Sequence, residues 1–110
     1  MRIYNVTFDC ADAQKVAAFW AELLGRSPAP GSGEHYAYLP GEPNLLFLRV
    51  PEGRTAKNRV HLDLDVDDLD EARQRVESLG ATFVHEKDEF GVHWLTFQDP
   101  EQNEFCIAAH

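Results

Sequence analysis

The side chains best suited to chemistry in this sequence lie at alternate positions of three short segments. They are Asn5 and Thr7, His61 and Asp63, and Glu104 and Cys106. Residues two apart point to the same face of a β-strand, so each pair is expected on the polar face of a strand. An imidazole beside carboxylates can exchange protons with a substrate, so His61 and Glu104 are candidate catalytic residues, with Asp63 as the alternative partner. The same pattern is also typical of polar residues on a solvated sheet face.

The segments around these pairs have the alternation of half-buried strands. Around His61, for example, Leu62 and Leu64 alternate with Asp63 and Asp65. Alternation of this kind is typical of antiparallel strands with one packed face. Strands are predicted at 5–10, 35–39, 44–50, 60–66, 81–86, 92–98 and 103–107. The turn sequences at 40–44 and 99–103 are rich in Pro, Gly and Asn and close a hairpin in each half of the chain.

Two amphipathic helices are predicted, each beginning at an aspartate and ending at a glycine. The first runs from Asp12 to Gly25 and the second from Asp68 to Gly80. Aspartate is a strong N-cap residue, and glycine readily adopts the left-handed conformation that ends a helix. The apolar residues of both segments recur at helical spacing, so each helix is expected to lie with one face against a sheet.

The chain contains an internal repeat. An offset of 56 residues pairs Asn5 with His61 and Asp12 with Asp68, and an offset of 58 pairs Phe47 with Phe105. Two copies of about 55 residues are too few and too long for a solenoid. We therefore predict one domain over 1–110 with the element order βαβββ repeated twice. Module one covers about 1–57 and module two about 58–110, with a linker at 51–58 and a pseudo-twofold relation between the modules.

Composition narrows the class of partner. The net charge of −9 disfavours both nucleic acid and anionic membrane surfaces. No apolar run approaches the roughly 18 residues of a membrane span, so a cytoplasmic location is expected. The two cysteines, Cys10 and Cys106, lie at positions that point to opposite strand faces. They are therefore predicted to remain buried thiols without a disulfide.

Three motifs in this order resemble the vicinal oxygen chelate superfamily, which groups glyoxalase I, bleomycin-resistance proteins and extradiol dioxygenases. They occupy residues 9–25, 58–69 and 99–106, and the similarity is greatest to the short glyoxalase-like domains. The resemblance implies an α+β fold of two βαβββ modules. It also implies a curved mixed or antiparallel sheet that encloses a cleft, with the helices on its outer face. Short members of this superfamily are commonly homodimers, so a homodimer is expected here.

The resemblance also implies where a divalent metal would be held in the metalloenzymes of the superfamily. Carried onto this chain, those positions are Asn5, Leu48, His61 and Cys106. Only His61 is a usual ligand there, because leucine has no donor atom and Cys106 replaces a glutamate. Glu104 would supply a carboxylate only if its strand shifted. A metal enzyme needs about three good protein ligands, so no cofactor is expected, with a divalent metal as the less favoured possibility.

If the sheet curves as the resemblance implies, the polar faces converge on a ligand-binding cleft. Its expected lining is Asn5, Thr7, Phe47, Leu48, His61, Asp63, Trp94, Glu104 and Cys106. Trp94 and Phe47 would supply apolar walls, although an aromatic residue in a strand is more often a packing residue. Two functions follow: a metal-independent small-molecule-binding protein of the bleomycin-resistance type, or a metal-dependent lyase or dioxygenase. The poor ligand set favours the binding protein.

Overall fold

The computed structural model describes residues 3–51, 60–89 and 91–109. The chain divides into two compact units, Met1–Arg54 and Thr55–His110. The predicted linker at 51–58 lies outside the described residues except for Pro51, so the predicted module boundary near residue 57 stays a prediction. In the described residues, no helix is long and apolar enough to cross a membrane.

The first unit is a three-stranded sheet with one helix. Its elements are β1 (Asn5–Cys10), α1 (Ala13–Leu24), β2 (Tyr36–Leu39) and β3 (Asn44–Arg49). The strand order is β1-β3-β2, with β1 parallel to β3 and β2 antiparallel to it. Within the described residues this unit has one strand fewer than the predicted βαβββ order.

Helix α1 forms where its sequence predicts it. The Asp12 side chain accepts a hydrogen bond from the Lys15 backbone N–H at 3.2 Å, and Gly25 ends the helix in the left-handed conformation with φ of 66°. The inner face of the helix buries Trp20 completely, and the Phe8 ring lies 6.1 Å from the Trp20 ring between centroids. Six residues of α1 are buried in all, so this helix is firmly anchored to its sheet.

The second unit has the predicted βαβββ order. Its elements are β4 (Leu62–Asp65), α2 (Leu69–Ser78), β5 (Thr82–Glu89), β6 (Val92–Gln98) and β7 (Glu104–Ala108). The strand order is β4-β7-β6-β5, with β4 parallel to β7 and the other neighbours antiparallel. The resemblance implied a mixed or antiparallel sheet, and each sheet is mixed. Alternation by itself favoured antiparallel pairing, which does not hold for the first strand of each unit. A strand with one packed face has the same alternating sequence pattern whether it pairs in parallel or antiparallel with its neighbour. Alternation alone therefore cannot distinguish the two kinds of pairing.

One face of the second sheet is apolar and lies under α2. Phe83, Phe97 and Phe105 form a row across β5, β6 and β7, with ring centroids 5.6 Å and 6.0 Å apart. The Arg73 guanidinium of α2 lies 4.5 Å from the centre of the Phe83 ring. Asp68 caps α2 by accepting a hydrogen bond from the Glu71 backbone N–H at 3.1 Å. Val76 is the only buried residue of α2.

Strand β5 contains a β-bulge that changes which of its residues reach the other face. Phe83 pairs with Phe97, but His85 pairs with Thr96, so Val84 is one residue extra. On a regular strand Phe83 and His85 would share a face. Because of the extra residue, Phe83 lies on the side of α2 while the alternate residues from His85 onward lie on the opposite side.

Candidate functional site

The face of the second sheet opposite the apolar row carries a cavity of about 550 Å³. Every residue that lines it belongs to the second unit. These residues are His61, Asp63, Leu64, His85, Lys87, Glu89, Val92, Trp94, Thr96, Glu104, Cys106 and Ala108. A cavity of this size with mixed polar and apolar walls has the usual dimensions of a small-molecule site.

Strand register brings the polar lining together. Asp63 of β4 is paired with Cys106 of β7, which is paired with Thr96 of β6, which in turn is paired with His85 of β5. Neighbouring strands are about 4.8 Å apart, so these four side chains form one row across the sheet. Trp94 lies two residues before Thr96 on β6, on the same face of the sheet, and is paired with Lys87 of β5. The indole of Trp94 therefore lines the cavity next to the row of polar side chains formed by Asp63, Cys106, Thr96 and His85.

His61 and Asp63 form a partly exposed pair at one end of the cavity. His61 precedes the first residue of β4, and its Nε2 lies 3.3 Å from Asp63 Oδ1. Their side chains are 47% and 71% exposed. The predicted acid–base partner of His61 was Glu104 or Asp63, and the structure pairs it with Asp63. Glu104 lines the same cavity from β7.

Cys106 is the buried member of this end of the cavity. Its Sγ lies 3.3 Å from Thr96 Oγ1. Burial raises the pKa of the Cys106 thiol, and the negative charges of Asp63 and Glu104 raise it further, as does a hydrogen bond to Asp63. The Thr96 hydrogen bond opposes this shift in pKa, but burial is the largest effect. The neutral thiol is therefore the favoured form in the folded protein.

Imidazole, carboxylate and thiol donors meet at this end. One donor atom each from His61, Asp63 and Cys106 lies within 4.8 Å of the other two. The prediction of a buried thiol without a disulfide is confirmed for both Cys10 and Cys106.

The other predicted lining residues belong to the first unit. Asn5, Thr7 and Leu48 lie on the face of the first sheet that is opposite Phe47, as their register with β3 shows. The Leu48 side chain is hydrocarbon and partly exposed. The Asn5 Oδ1 atom is buried and has no hydrogen-bond partner among the described residues.

The prediction that Phe47 walls an open cleft was wrong. Phe47 has 0% of its surface exposed, and its ring centroid lies 5.1 Å from that of Phe8, which also contacts Trp20 of α1. The alternation of β3 places Phe47 with Leu45 on the packed face, whereas Leu48 is on the polar face. The apolar wall that Phe47 was expected to supply is provided in the second unit by Trp94, Leu64 and Val92.

Sequence reasoning missed the contribution of β5. His85, Lys87 and Glu89 line the cavity because the bulge at Val84 turns them to that face, and nothing in the sequence marks the bulge. Thr96 was also missed, although its spacing from Trp94 on a regular strand was sufficient to find it. His93, on the other face, lies 2.6 Å from Glu86 through its Nε2 atom and takes no part in the cavity.

These features define a class of protein. The described residues form an α+β chain of two small sheets, each with a parallel outer pair and a single helix, and one sheet carries a cavity with polar and apolar walls on its open face. The family model of the glyoxalase-like domain matches residues 5–108. The chain belongs to this family, and with it to the vicinal oxygen chelate superfamily.

Several solved structures share the fold at low sequence identity. A glyoxalase/bleomycin resistance protein/dioxygenase family enzyme from Burkholderia phytofirmans PsJN is 18% identical with a TM-score of 0.75, over 96% of this chain and 95% of that one. Lactoylglutathione lyase from Agrobacterium tumefaciens is 18% identical with a TM-score of 0.70, over 98% and 92%. The fosfomycin resistance protein FosX from Mesorhizobium loti is 14% identical with a TM-score of 0.75, over 100% and 92%. No curated protein sequence matches the chain.

Proposed function

We propose that this protein binds a small organic molecule in the cavity of its second unit, and that binding does not require a metal. The observation that supports this most directly is the cavity itself, with a volume of about 550 Å³ and both apolar and polar walls. The Trp94 ring can stack on a planar group, while Thr96, Lys87 and Glu104 offer donors and acceptors that orient a ligand.

The divalent metal of the superfamily's enzymes fits this chain poorly. Of the four positions that the resemblance implies, Leu48 has no donor atom and Asn5 offers only a neutral amide. Cys106 is held as a neutral thiol by burial and by nearby carboxylates, which raise its pKa. His61 is the one good ligand among the four, so the lyase or dioxygenase alternative lacks its ligand set, and no reaction step is assigned through a metal.

The two tryptophans make a direct test possible. Trp20 is fully buried in the first unit, whereas Trp94 lines the cavity. In a Trp20→Phe variant, the fluorescence of Trp94 alone reports on the cavity. We expect at least one compound of a metabolite and antibiotic library to shift that fluorescence saturably, with the same affinity in the presence of a strong chelator.

Matched controls locate the ligand. Lys87 lines the cavity, so Lys87→Gln should weaken binding; Arg73 belongs to α2, on the opposite side of the sheet, so Arg73→Gln should not. A Trp94→Phe variant that retains Trp20 should show no fluorescence shift. Loss of binding on chelation would contradict the metal-independent proposal, and equal effects of the two charge variants would place the ligand elsewhere.

A further inference from the structure

The polar groups that line the cavity divide into those with a partner in the protein and those without one. His61 lies 3.3 Å from Asp63, and the Thr96 hydroxyl lies 3.3 Å from the Cys106 sulfur. Glu104 also interacts with other groups of the protein. The polar side chains of the lining that have no partner among the described residues all belong to strand β5, and they are His85, Lys87 and Glu89.

Lys87 and Glu89 are the charged members of this set. They stand two residues apart on the same face of β5, so about 6.8 Å separates their backbones. Within residues 3–51, 60–89 and 91–109, neither side chain has a hydrogen bond or an ion pair, and they do not pair with each other. Two opposite charges that are close together and unpaired are available to a ligand that carries both charges.

An apolar surface lies beside this charged pair. Trp94 is paired with Lys87 on one side and with Ala108 on the other, and Val92 is paired with Glu89. Because Ala108 has only a methyl group, it leaves space beside the indole ring. Neighbouring strands are about 4.8 Å apart, so a molecule with a planar group on Trp94 would have both charges within reach.

The two opposite charges discriminate among ligands. A simple amine would pair with Glu89 but would also lie beside the Lys87 ammonium, and a simple carboxylate would meet the reverse conflict. A molecule with an ammonium and a carboxylate on one carbon atom satisfies both side chains at once. The net charge of −9 on the chain further disfavours a purely anionic ligand.

We propose that the small molecule bound in this cavity is an amino acid, or a related zwitterion, with a planar apolar side chain. Lys87 binds its carboxylate, Glu89 binds its ammonium, and its side chain lies on Trp94. This inference rests on the proposed function and names the class of ligand for the same cavity.

Three probes with the same aromatic body isolate the contribution of the charged groups. L-phenylalanine carries both charges, phenethylamine only the ammonium and 3-phenylpropanoate only the carboxylate. Each is titrated near neutral pH and at low salt into the full-length Trp20→Phe variant, with a chelator present and Trp94 fluorescence as the signal. We expect phenylalanine to bind about threefold to fivefold more tightly than either other probe, the contribution of one exposed ion pair. Phenylalanine that fails to bind, or that binds no more tightly than a singly charged probe, would overturn the inference.

Removal of one charge at a time should change the order of the probes. In Lys87→Gln, phenylalanine should bind about threefold more weakly, whereas phenethylamine should not, because its ammonium no longer lies beside a like charge. In Glu89→Gln, phenylalanine should again bind more weakly, whereas 3-phenylpropanoate should not. Both side chains are exposed, so these variants should keep the fold. An equal loss for all three probes would show a structural effect and overturn the assigned roles.

Asp88→Asn is the matched control, because it removes one negative charge from the same strand. Asp88 lies on the opposite face of the sheet, where it is paired with His93. The affinity for phenylalanine should stay unchanged in this variant. A loss as large as that of Glu89→Gln would show that the net charge of the strand, rather than contact with the ligand, decides binding, and would overturn the inference.

The inference and the proposed function can fail separately. If a library compound that lacks either charge shifts the Trp94 fluorescence and phenylalanine does not, the proposed function stands and this inference is wrong. If no compound binds, phenylalanine included, both are wrong.

Discussion

Asp99 is a buried carboxylate, 3% exposed, that organises the turn between β6 and β7. Its Oδ1 accepts the backbone N–H groups of Glu101 at 2.8 Å and Asn103 at 2.9 Å, and its Oδ2 accepts the Asn103 side-chain amide at 2.9 Å. Asp99→Ala removes the acceptor for all three donors. We expect this variant to lower the free energy of unfolding by about 2 to 3 kcal/mol, measured by urea denaturation.

Asp99→Asn is the matched control for that prediction. Its amide oxygen can still accept the two backbone N–H groups, whereas its NH2 group faces the Asn103 amide and loses one hydrogen bond. Its loss of stability should therefore lie between zero and that of Asp99→Ala. An asparagine variant as unstable as the alanine variant would show that charge, rather than hydrogen bonding, holds the turn.

Tyr38 provides a prediction at alkaline pH. Desolvation raises the pKa of its phenol, and a hydrogen bond to Tyr4 and the charges of Tyr4 and Tyr36 raise it further. The neutral phenol therefore stabilises the folded state fully below the unfolded value of about 10, and this contribution is lost as pH rises through the folded pKa. In a pH titration followed by the ultraviolet absorbance of tyrosinate, the Tyr38 phenol should ionise at a higher pH than a free tyrosine does.

Substitution identifies that group. Tyr38→Phe should remove the step at high pH from the absorbance titration. Tyr36→Phe should lower the total change in absorbance but keep that step. The chain has three tyrosines, so each accounts for about a third of the signal. A step at high pH that persists in Tyr38→Phe would contradict the assignment.

At the scale of elements, the two helices differ in how firmly they are held. Helix α1 buries six residues, including Trp20, whereas α2 buries only Val76. Local opening costs less where fewer apolar contacts must be broken. We expect the backbone amides of α2 to exchange hydrogen with solvent faster than those of α1, as measured by mass spectrometry on peptides. Equal protection of the two helices would contradict this expectation.

The elements also show what the sequence can and cannot predict. Both helix starts were predicted because an N-cap is local chemistry: Asp12 and Asp68 bond to N–H groups three residues away. The strands of the second unit followed from alternation, and Trp94 was expected to supply an apolar wall. The parallel pairing of β4 with β7 and the bulge at Val84 could not be predicted from alternation. Both depend on which strand is the neighbour and on the register between the two strands. Three cavity residues on β5 were missed for that reason.

At the scale of the whole molecule, both sheets are open. The edges are β1 and β2 in the first sheet and β4 and β5 in the second, within the described residues. Unpaired edges favour association, and twofold pairing is the commonest way to cover them. A homodimer stays our prediction. Light scattering should give twice the 12.5 kDa of one chain. A single-chain mass throughout the micromolar range would refute it.

The bulge at Val84 has a consequence for how such cavities diversify. With the bulge, His85, Lys87 and Glu89 face the cavity. If β5 paired without the bulge, with Val84 opposite Thr96, each of these residues would move to the other face, and Val84, Glu86 and Asp88 would face the cavity instead. A lysine would be lost and acidic groups gained without any residue being substituted. A shift of register by one residue on a single strand can therefore change the charge of the pocket, so relatives with nearly the same residues need not bind the same compounds.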